Sequence, residues 1–190
     1  MNNKHLKVIF ETVMPSLENS GIEYWVYGGI ALAAVQGHFY RNNEDVDIFV
    51  NECAFENAVE VFKNIEEVTG LGVKTDIRTL KRDGFERPKV ELKKGKKELL
   101  SIVPMFEVGE SYVLVFGNGS KKYNRNLVNR VERRISGYRF ITPPNESIKK
   151  IFQDCLPSRI NSKSKIKVKQ DAQNILSTEE FNGYYPNVTN

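Results

Sequence analysis

Histidine and cysteine are scarce in this chain of 190 residues: His5, His38, Cys53 and Cys155 are the whole supply. A zinc site needs about four such ligands at short spacing, and a disulfide framework needs closely spaced pairs. Both are excluded, and a reducing cytoplasm suits the two free thiols. No apolar run approaches the roughly 18 residues of a membrane helix, so no membrane partner is expected. Residues 1–5, MNNKH, lead into no apolar stretch of the kind a secretory signal carries. Internal repeats and low-complexity segments are missing as well. What is present is 40% apolar, 11% aromatic and 27% charged, the make-up of an ordinary globular protein of one domain with a possible helical appendage.

The net charge of +4 is mild, but its distribution is uneven. Residues 121–134 carry Lys121, Lys122, Arg125, Arg130, Arg133 and Arg134 against one acid, Glu132. Residues 159–169 carry Arg159, Lys163, Lys165, Lys167 and Lys169 with no acid. Such runs form either a solvated surface or an electropositive rim for a triphosphate or RNA, and charge alone leaves both open.

Hydrophobic periodicity divides the chain. Residues 3–19 read as an amphipathic helix kinked at Pro15, residues 24–27 as a strand closed by Gly28-Gly29, and residues 30–36 as a small-residue helix stopped by Gly37. Residues 45–50 alternate as a strand, and residues 54–68 form a second amphipathic helix. Extended stretches follow at 73–80, 88–93 and 98–103, the last two joined by a hairpin at Lys94-Gly95-Lys96. Strands at 112–116 and 138–141 flank a turn at 117–120. Beyond 142 the pattern becomes helical: a helix to about 156 ending at Pro157-Ser158, a polar linker, a helix over 166–177 and a frayed tail over 178–190. The expected architecture is α+β, with a mixed sheet flanked by helices over 1–141 and a small helical portion over 142–177.

The chemistry sits at Gly28, Gly29, Arg41, Asp45 and Asp47. Side chains alternate along a strand, so Asp45 and Asp47 face the same way, ~7 Å apart. Two carboxylates so placed can share a hard cation such as Mg²⁺ and leave positions for phosphate oxygens. Glycines at the preceding turn let backbone N–H groups approach a phosphate, aided by the following helix N-terminus, and Arg41 can neutralise phosphate charge. Cation, amide cradle and guanidinium are what phosphoryl or nucleotidyl transfer requires.

Residues 24–50, YWVYGGIALAAVQGHFYRNNEDVDIFV, resemble the signature of the nucleotidyltransferase superfamily: an apolar strand, Gly-Gly, a short helix, then Asp-x-Asp. The similarity is greatest to its small bacterial branch, with the aminoglycoside and lincosamide adenylyltransferases and the abortive-infection-type toxins. That resemblance implies Mg²⁺ and an NTP (ATP foremost) held by Asp45 and Asp47. The nucleoside monophosphate would go to a hydroxyl of a small molecule such as an antibiotic, or of RNA or protein in a toxin. It also implies a third carboxylate on a later strand, where this chain has Ser101 within ELLSIVP (98–104). Serine is neither a base at neutral pH nor a counter-charge for a metal. Glu98 lies an odd number of positions from Ser101 and is expected on the opposite face. Glu91 would face the Ser101 side with a three-residue hairpin loop and turn away with a two-residue one.

Two other functions stay open: a degenerate fold that binds nucleotide or a partner without turnover, motivated by Ser101, and a nucleic-acid-binding module using the basic runs. Tyr24, Trp25, Tyr27 and Phe39 read as core or cleft wall, His38 as a loop residue, and both cysteines as core fillers. Lys149 and Lys150 are candidates to reach a triphosphate.

Overall fold

The structure, a computed structural model, describes residues 3–74 and 79–186. The N-terminal segment changes helix type as it goes: a 3₁₀ turn Lys4–Leu6, a π-helical stretch Ile9–Val13 and α1, Met14–Asn19. Pro15 has no N–H to donate, so the wider π turn precedes it and it occupies the first turn of α1 instead of kinking a helix interior. Leu6, Ile9, Val13, Met14 and Leu17 are buried along this segment.

The chain then lays down β1 (Tyr24–Tyr27), α2 (Gly28–Gln36), β2 (Val46–Asn51), α3 (Phe55–Thr69) and β3 (Gly72–Lys74). A small hairpin, β4 (Leu80–Arg82) and β5 (Phe85–Arg87), leads to β6 (Val90–Lys94), β7 (Lys97–Val108), β8 (Ser111–Phe116) and β9 (Gly119–Asn124). A second two-stranded unit, β10 (Val131–Ile135) and β11 (Tyr138–Thr142), precedes α4 (Asn145–Arg159), α5 (Lys165–Ile175) and α6 (Thr178–Tyr184). No helix among the described residues is long and apolar enough to cross a membrane.

The main sheet runs β1-β2-β7-β6-β3, with β2 parallel to β7 and the other pairs antiparallel. The far half of the twelve-residue β7 leaves this sheet to pair with β8, which pairs with β9. The architecture is therefore α+β with a mixed, curled sheet. Strands β9 and β10 went unseen in the periodicity because they are polar and half exposed, one run of basic residues threading through both.

One irregularity has consequences for the site. The β6–β7 hairpin closes with Lys94 opposite Lys97, a two-residue turn at Gly95-Lys96, and the register then shifts: Lys93 faces Glu98 but Leu92 faces Leu100. Leu99 is thus an extra residue in β7, a β-bulge that reverses the in–out parity of everything on its hairpin side.

The main core lies between the sheet and the N-terminal helices. A second apolar cluster joins Ala31 and Leu32 of α2 to Ile148, Phe152, Val168, Ala172 and Phe181 of the C-terminal helices. Apolar on nearly every side, α2 is held between the two clusters. Helix α4 does not stop at Pro157 as its sequence suggests. Proline removes one i→i−4 hydrogen bond, yet the helix continues to Arg159, with Ile160 N–H closing on Leu156. The expected frayed tail is also helical through Tyr184. Ser177 and Glu180 form a reciprocal capping box, and Phe181 is buried. Residues 187–190, and residues 75–78 of the extended stretch expected at 73–80, lie outside the described residues.

A polar clamp ties α5 to the segment between α2 and β2. Arg41 donates twice to Asp171, Nε to Oδ1 at 2.7 Å and Nη2 to Oδ2 at 2.8 Å, and the Tyr40 hydroxyl donates to the same Oδ1 at 2.8 Å. Their side chains are 13% and 6% exposed, so removing one partner strands a desolvated charge. Asp171→Ala is expected to lower the unfolding free energy by about 3–5 kcal/mol, read from urea denaturation. A change below the scatter of the fits would show that the clamp does not hold α5.

Candidate active site

The turn from β1 into α2 is built for close approach. Gly28 sits at φ +67°, and a Cβ added there would lie 2.7 Å from the Asp47 Oδ2. A Cβ on Gly29 would run into the Arg41 guanidinium and come within 2.6 Å of the Asn43 Oδ1. A side chain at Gly28 would be strained by the left-handed backbone and would displace Asp47, and one at Gly29 would displace Arg41 and Asn43. Among the described residues no side chain caps α2, which leaves its first-turn N–H groups facing the cleft.

Across the sheet, Tyr27, Asp47, Ser101 and Glu91 occupy one row through β1, β2, β7 and β6. Ser101 does stand opposite Asp47, and its hydroxyl donates to the Asp47 Oδ1 at 2.6 Å. The third carboxylate comes from elsewhere. Asp45, Asp47 and Glu98 offer carboxylate oxygens all within 4.8 Å of one another. Simple alternation placed Glu98 on the opposite face; the bulge at Leu99 corrects that, because one inserted residue turns an odd spacing into an even one. The same bulge overturns the loop-length rule for Glu91. The hairpin loop has two residues, yet Glu91 pairs with Ser101 and faces its side.

Electrostatics separate these acids. Burial, then the charges of Asp47 and Glu98, push the Asp45 carboxyl up to about 7. Burial likewise raises Glu98, against the hydrogen bond from Lys89. Glu91 is held differently. Burial disfavours its charge, but hydrogen bonds from Lys93 and Lys89, at 2.9 Å each, bring it down to about 2. Glu91 is therefore an ion-pair partner, outside the group of converging carboxylates.

The opposite wall of the cleft is basic. Gly29, Arg41, Asp45 and Asp47 share a cavity with Arg159, Ser164 and Lys167 from the C-terminal helices. Arg41 thus reaches the predicted place, but Asp171 already matches its charge. Arg159 arrives because α4 runs through Pro157, and Lys167 pairs with Glu44 at 2.6 Å. Neither residue could be assigned from sequence beyond its membership of a basic run. On the far side of Gly28, Leu32, Pro143, Ile151, Phe152 and Cys155 line an apolar pocket that also meets Arg159.

Other candidates fall away from the centre. Lys149 pairs with Glu180 at 2.9 Å and Lys150 with Asp154 at 3.6 Å. His38 is an exposed loop residue bonded to the Gln36 carbonyl. Tyr24 and Trp25 are buried core, and Tyr27 stacks on Phe49 with ring centroids 3.8 Å apart. Cys53 is exposed, contrary to the core role expected of it, whereas burial pushes the Cys155 thiol up to about 12 and leaves it inert. In the run over 121–134, Arg125 pairs with Glu107, Arg130 with Glu23, and Arg134 with Glu132. Arg133 donates to Asn145. Arg125, Arg130 and Arg134 are thus matched by acids within the fold, while Arg133 is held by neutral acceptors.

The residues present fit a divalent cation with a triphosphate. The donors are all carboxylate oxygens, the set a hard cation takes. The absence of a Cβ at Gly28 and Gly29 lets the Asp47 carboxylate and the Arg41 guanidinium approach the backbone of the turn closely, and the buried Asn43 Oδ1 beside it, with no hydrogen-bond partner among the described residues, is a further oxygen donor for a cation.

Comparisons with known proteins bear on the fold. The family described as aminoglycoside-2''-adenylyltransferase matches residues 9–91. No curated protein matches by sequence. Among solved structures, the antibiotic-resistance factor ANT(2'')-Ia superposes with a TM-score of 0.60 at 16% identity, covering 98% of this chain and 91% of its own. The lincosamide antibiotic adenylyltransferase LnuA, in a lincomycin-bound crystal structure, gives 0.57 at 15% identity, covering 93% and 99%. An antigenic nucleotidyltransferase-like protein from Paracoccidioides brasiliensis gives 0.54 at 15% identity, covering 98% and 88%. The fold is that of the nucleotidyltransferase superfamily, and within it the chain resembles the aminoglycoside and lincosamide adenylyltransferases.

Proposed function

We propose that the chain is a metal-dependent nucleotidyltransferase that moves a nucleoside monophosphate from an NTP, with ATP as donor, to a hydroxyl of a small molecule. The observation that carries this reading is the convergence of Asp45, Asp47 and Glu98 beside the Gly28–Gly29 cradle. The adenylyl transfer named for the relatives supports ATP, and the antibiotics named with them support a small hydroxylated acceptor over RNA. Free Cys53 and Cys155 accord with a cytoplasmic setting. Residues 1–141 would form the catalytic part, and residues 142–177 the helical portion that walls the cleft.

Mg²⁺ held by Asp45 and Asp47 would withdraw charge from the α-phosphate and help orient it, leaving the free oxygen of the neighbouring Glu98 to act as base. The amides at Gly28 and Gly29 and the positive end of α2 bind the outer phosphates. Arg159 and Lys167 offset their charge, with Arg41 adding to the basic wall from its pair with Asp171. Glu98 takes the proton of the acceptor hydroxyl as its oxygen bonds to the α-phosphorus. The bridging P–O bond to the β-phosphate breaks, and pyrophosphate leaves along the basic wall. In-line displacement puts the acceptor opposite that leaving group, over β7 and β6.

A second reading, nucleotide binding without turnover, draws on Ser101 in the expected carboxylate position. The two readings part at Glu98. Glu98→Gln is expected to lower the rate of labelled-NTP turnover by ~10²–10⁴-fold while NTP binding persists, since it removes the base alone. Glu91→Gln and Ser101→Ala should fall far short of that. If the wild-type chain turns over no NTP with any hydroxyl acceptor, the binding-only reading replaces the enzyme.

Asp45→Asn and Asp47→Asn should each abolish Mg²⁺-dependent NTP binding by titration calorimetry while the fold persists, because like-charge repulsion at a half-buried site is relieved. Binding that survives in the double variant would remove the cation from these carboxylates. Gly28→Val should weaken NTP affinity more than any nearby surface change, since the new side chain meets Asp47 and the left-handed backbone resists a β-branched residue. Equal affinity in a folded Gly28→Val chain would reduce the turn to an ordinary one.

A further inference from the structure

The acceptor side of the centre contains a cation of its own. Lys89, just before β6, places its Nζ 2.8 Å from the Glu98 Oε1 and 2.9 Å from the Glu91 Oε1. Lys93 holds the other Glu91 oxygen, Oε2, at 2.9 Å. Glu91 is closed off on both sides, and Glu98 keeps only Oε2 clear of an ammonium group. On the neighbouring strand, the Ser101 hydroxyl sits on the Asp47 Oδ1. Two of the six oxygens that Asp45, Asp47 and Glu98 offer are thus already hydrogen-bonded within the protein.

Charge counting points the same way. When ionised, Asp45, Asp47, Glu91 and Glu98 carry four negative charges, and Lys89 and Lys93 return two. On this side of the cleft the acids thus keep two uncompensated charges before the cations of the opposite wall are counted. A second divalent ion on the Glu98 side would lie against the Lys89 ammonium, which is itself only 30% exposed and so poorly screened. Resting on the nucleotidyltransferase reading, we propose that the Lys89 ammonium takes the place of a second divalent cation at this centre, so that the site works with one divalent ion and one lysine. Lys89 is then a positioning residue. It holds the Glu98 carboxylate beside Asp45 and Asp47 without contacting the reacting atoms.

Counting bound metal tests this directly. With the full chain, Mn²⁺ as probe and an ATP analogue carrying a methylene between the α- and β-phosphates, electron paramagnetic resonance should find one Mn²⁺ per wild-type chain. Lys89→Met, verified as folded by its thermal melt, should bind a second Mn²⁺ and gain more thermal stability from Mn²⁺ than the wild type does. Its kcat should fall by ~10²-fold or more, the scale of a displaced general base, with the KM for ATP little changed. Lys89→Arg, which keeps a cation against both glutamates, should bind one Mn²⁺ and recover part of kcat. Two Mn²⁺ in the wild type overturns the proposal without needing any variant. One Mn²⁺ in both wild type and Lys89→Met, with equal affinity, overturns it while leaving the nucleotidyltransferase reading intact. No Mn²⁺ in the wild type with the analogue present overturns both.

Discussion

Three carboxylates that converge within 4.8 Å in a half-buried cleft repel one another, and the rest of the structure can be understood as what holds them there. Burial first, and that repulsion after it, push the Asp45 carboxyl up to about 7. Backbone supplies the restraint. Asp47 is fixed between two strands, antiparallel to β1 and parallel to β7, and the bulge in β7 fixes Glu98. The strands around them are buried on both faces: Ile48, Phe49 and Val50 on β2, and Leu100, Ile102 and Val103 on β7. Burial of this kind stabilises a sheet by about 25 cal/mol per Å² of apolar surface, enough to hold an unfavourable cluster at one edge of the core.

Counter-charge is arranged in two tiers. Lys89 and Lys93 answer the acids from the β6 side, while Arg159 and Lys167 stand across the cleft on the C-terminal helices. The first tier is engaged within the protein. Of the second, Lys167 is tied to Glu44, a surface pair that a more highly charged phosphate can displace at little energetic loss. The Arg41–Asp171 clamp, by contrast, is buried and bidentate, and it sets where α5 lies. Neighbouring cationic residues of one wall are thereby divided between one fixed in helix placement and others free of buried partners.

The placement of Gly28, Gly29, Asp45 and Asp47 at one end of the sheet was legible in the sequence because these parts of the candidate site are local. Gly28-Gly29 after an apolar strand, and Asp45-x-Asp47 opening the next, need no tertiary knowledge to be placed on one face. Glu98 was not legible, because its direction depends on one inserted residue, and alternation counts parity without seeing a bulge. Ser101 misled for the same reason: it holds the expected register opposite Asp47, but the carboxylate has moved to the bulged end of β7. Arg159 was hidden by the ordinary rule that proline ends a helix, which α4 evades by giving up one hydrogen bond. The helix over 178–184 did carry a signal, Ser177 with Glu180 three residues on, which the polar composition of the tail masked.

The bulge and the lysine belong together physically. With regular pairing through the hairpin, Glu98 would turn to the opposite face, and Lys89 would have Glu91 alone to pair with. Displacing the third carboxylate along β7, from the Ser101 row toward the hairpin, brings it within reach of a side chain from the start of β6, and the ammonium group comes with it. A carboxylate at position 101 would instead stand directly across from Asp47, where the structure now has a neutral hydroxyl donating 2.6 Å to an acid oxygen. Moving the charge two to three residues along the strand thus replaces a repulsive cross-strand contact with a hydrogen bond and gains a cation for the displaced acid. Ser101 thus bonds to Asp47 as a neutral donor, and the carboxylate that approaches Asp45 and Asp47 from β7 is that of Glu98.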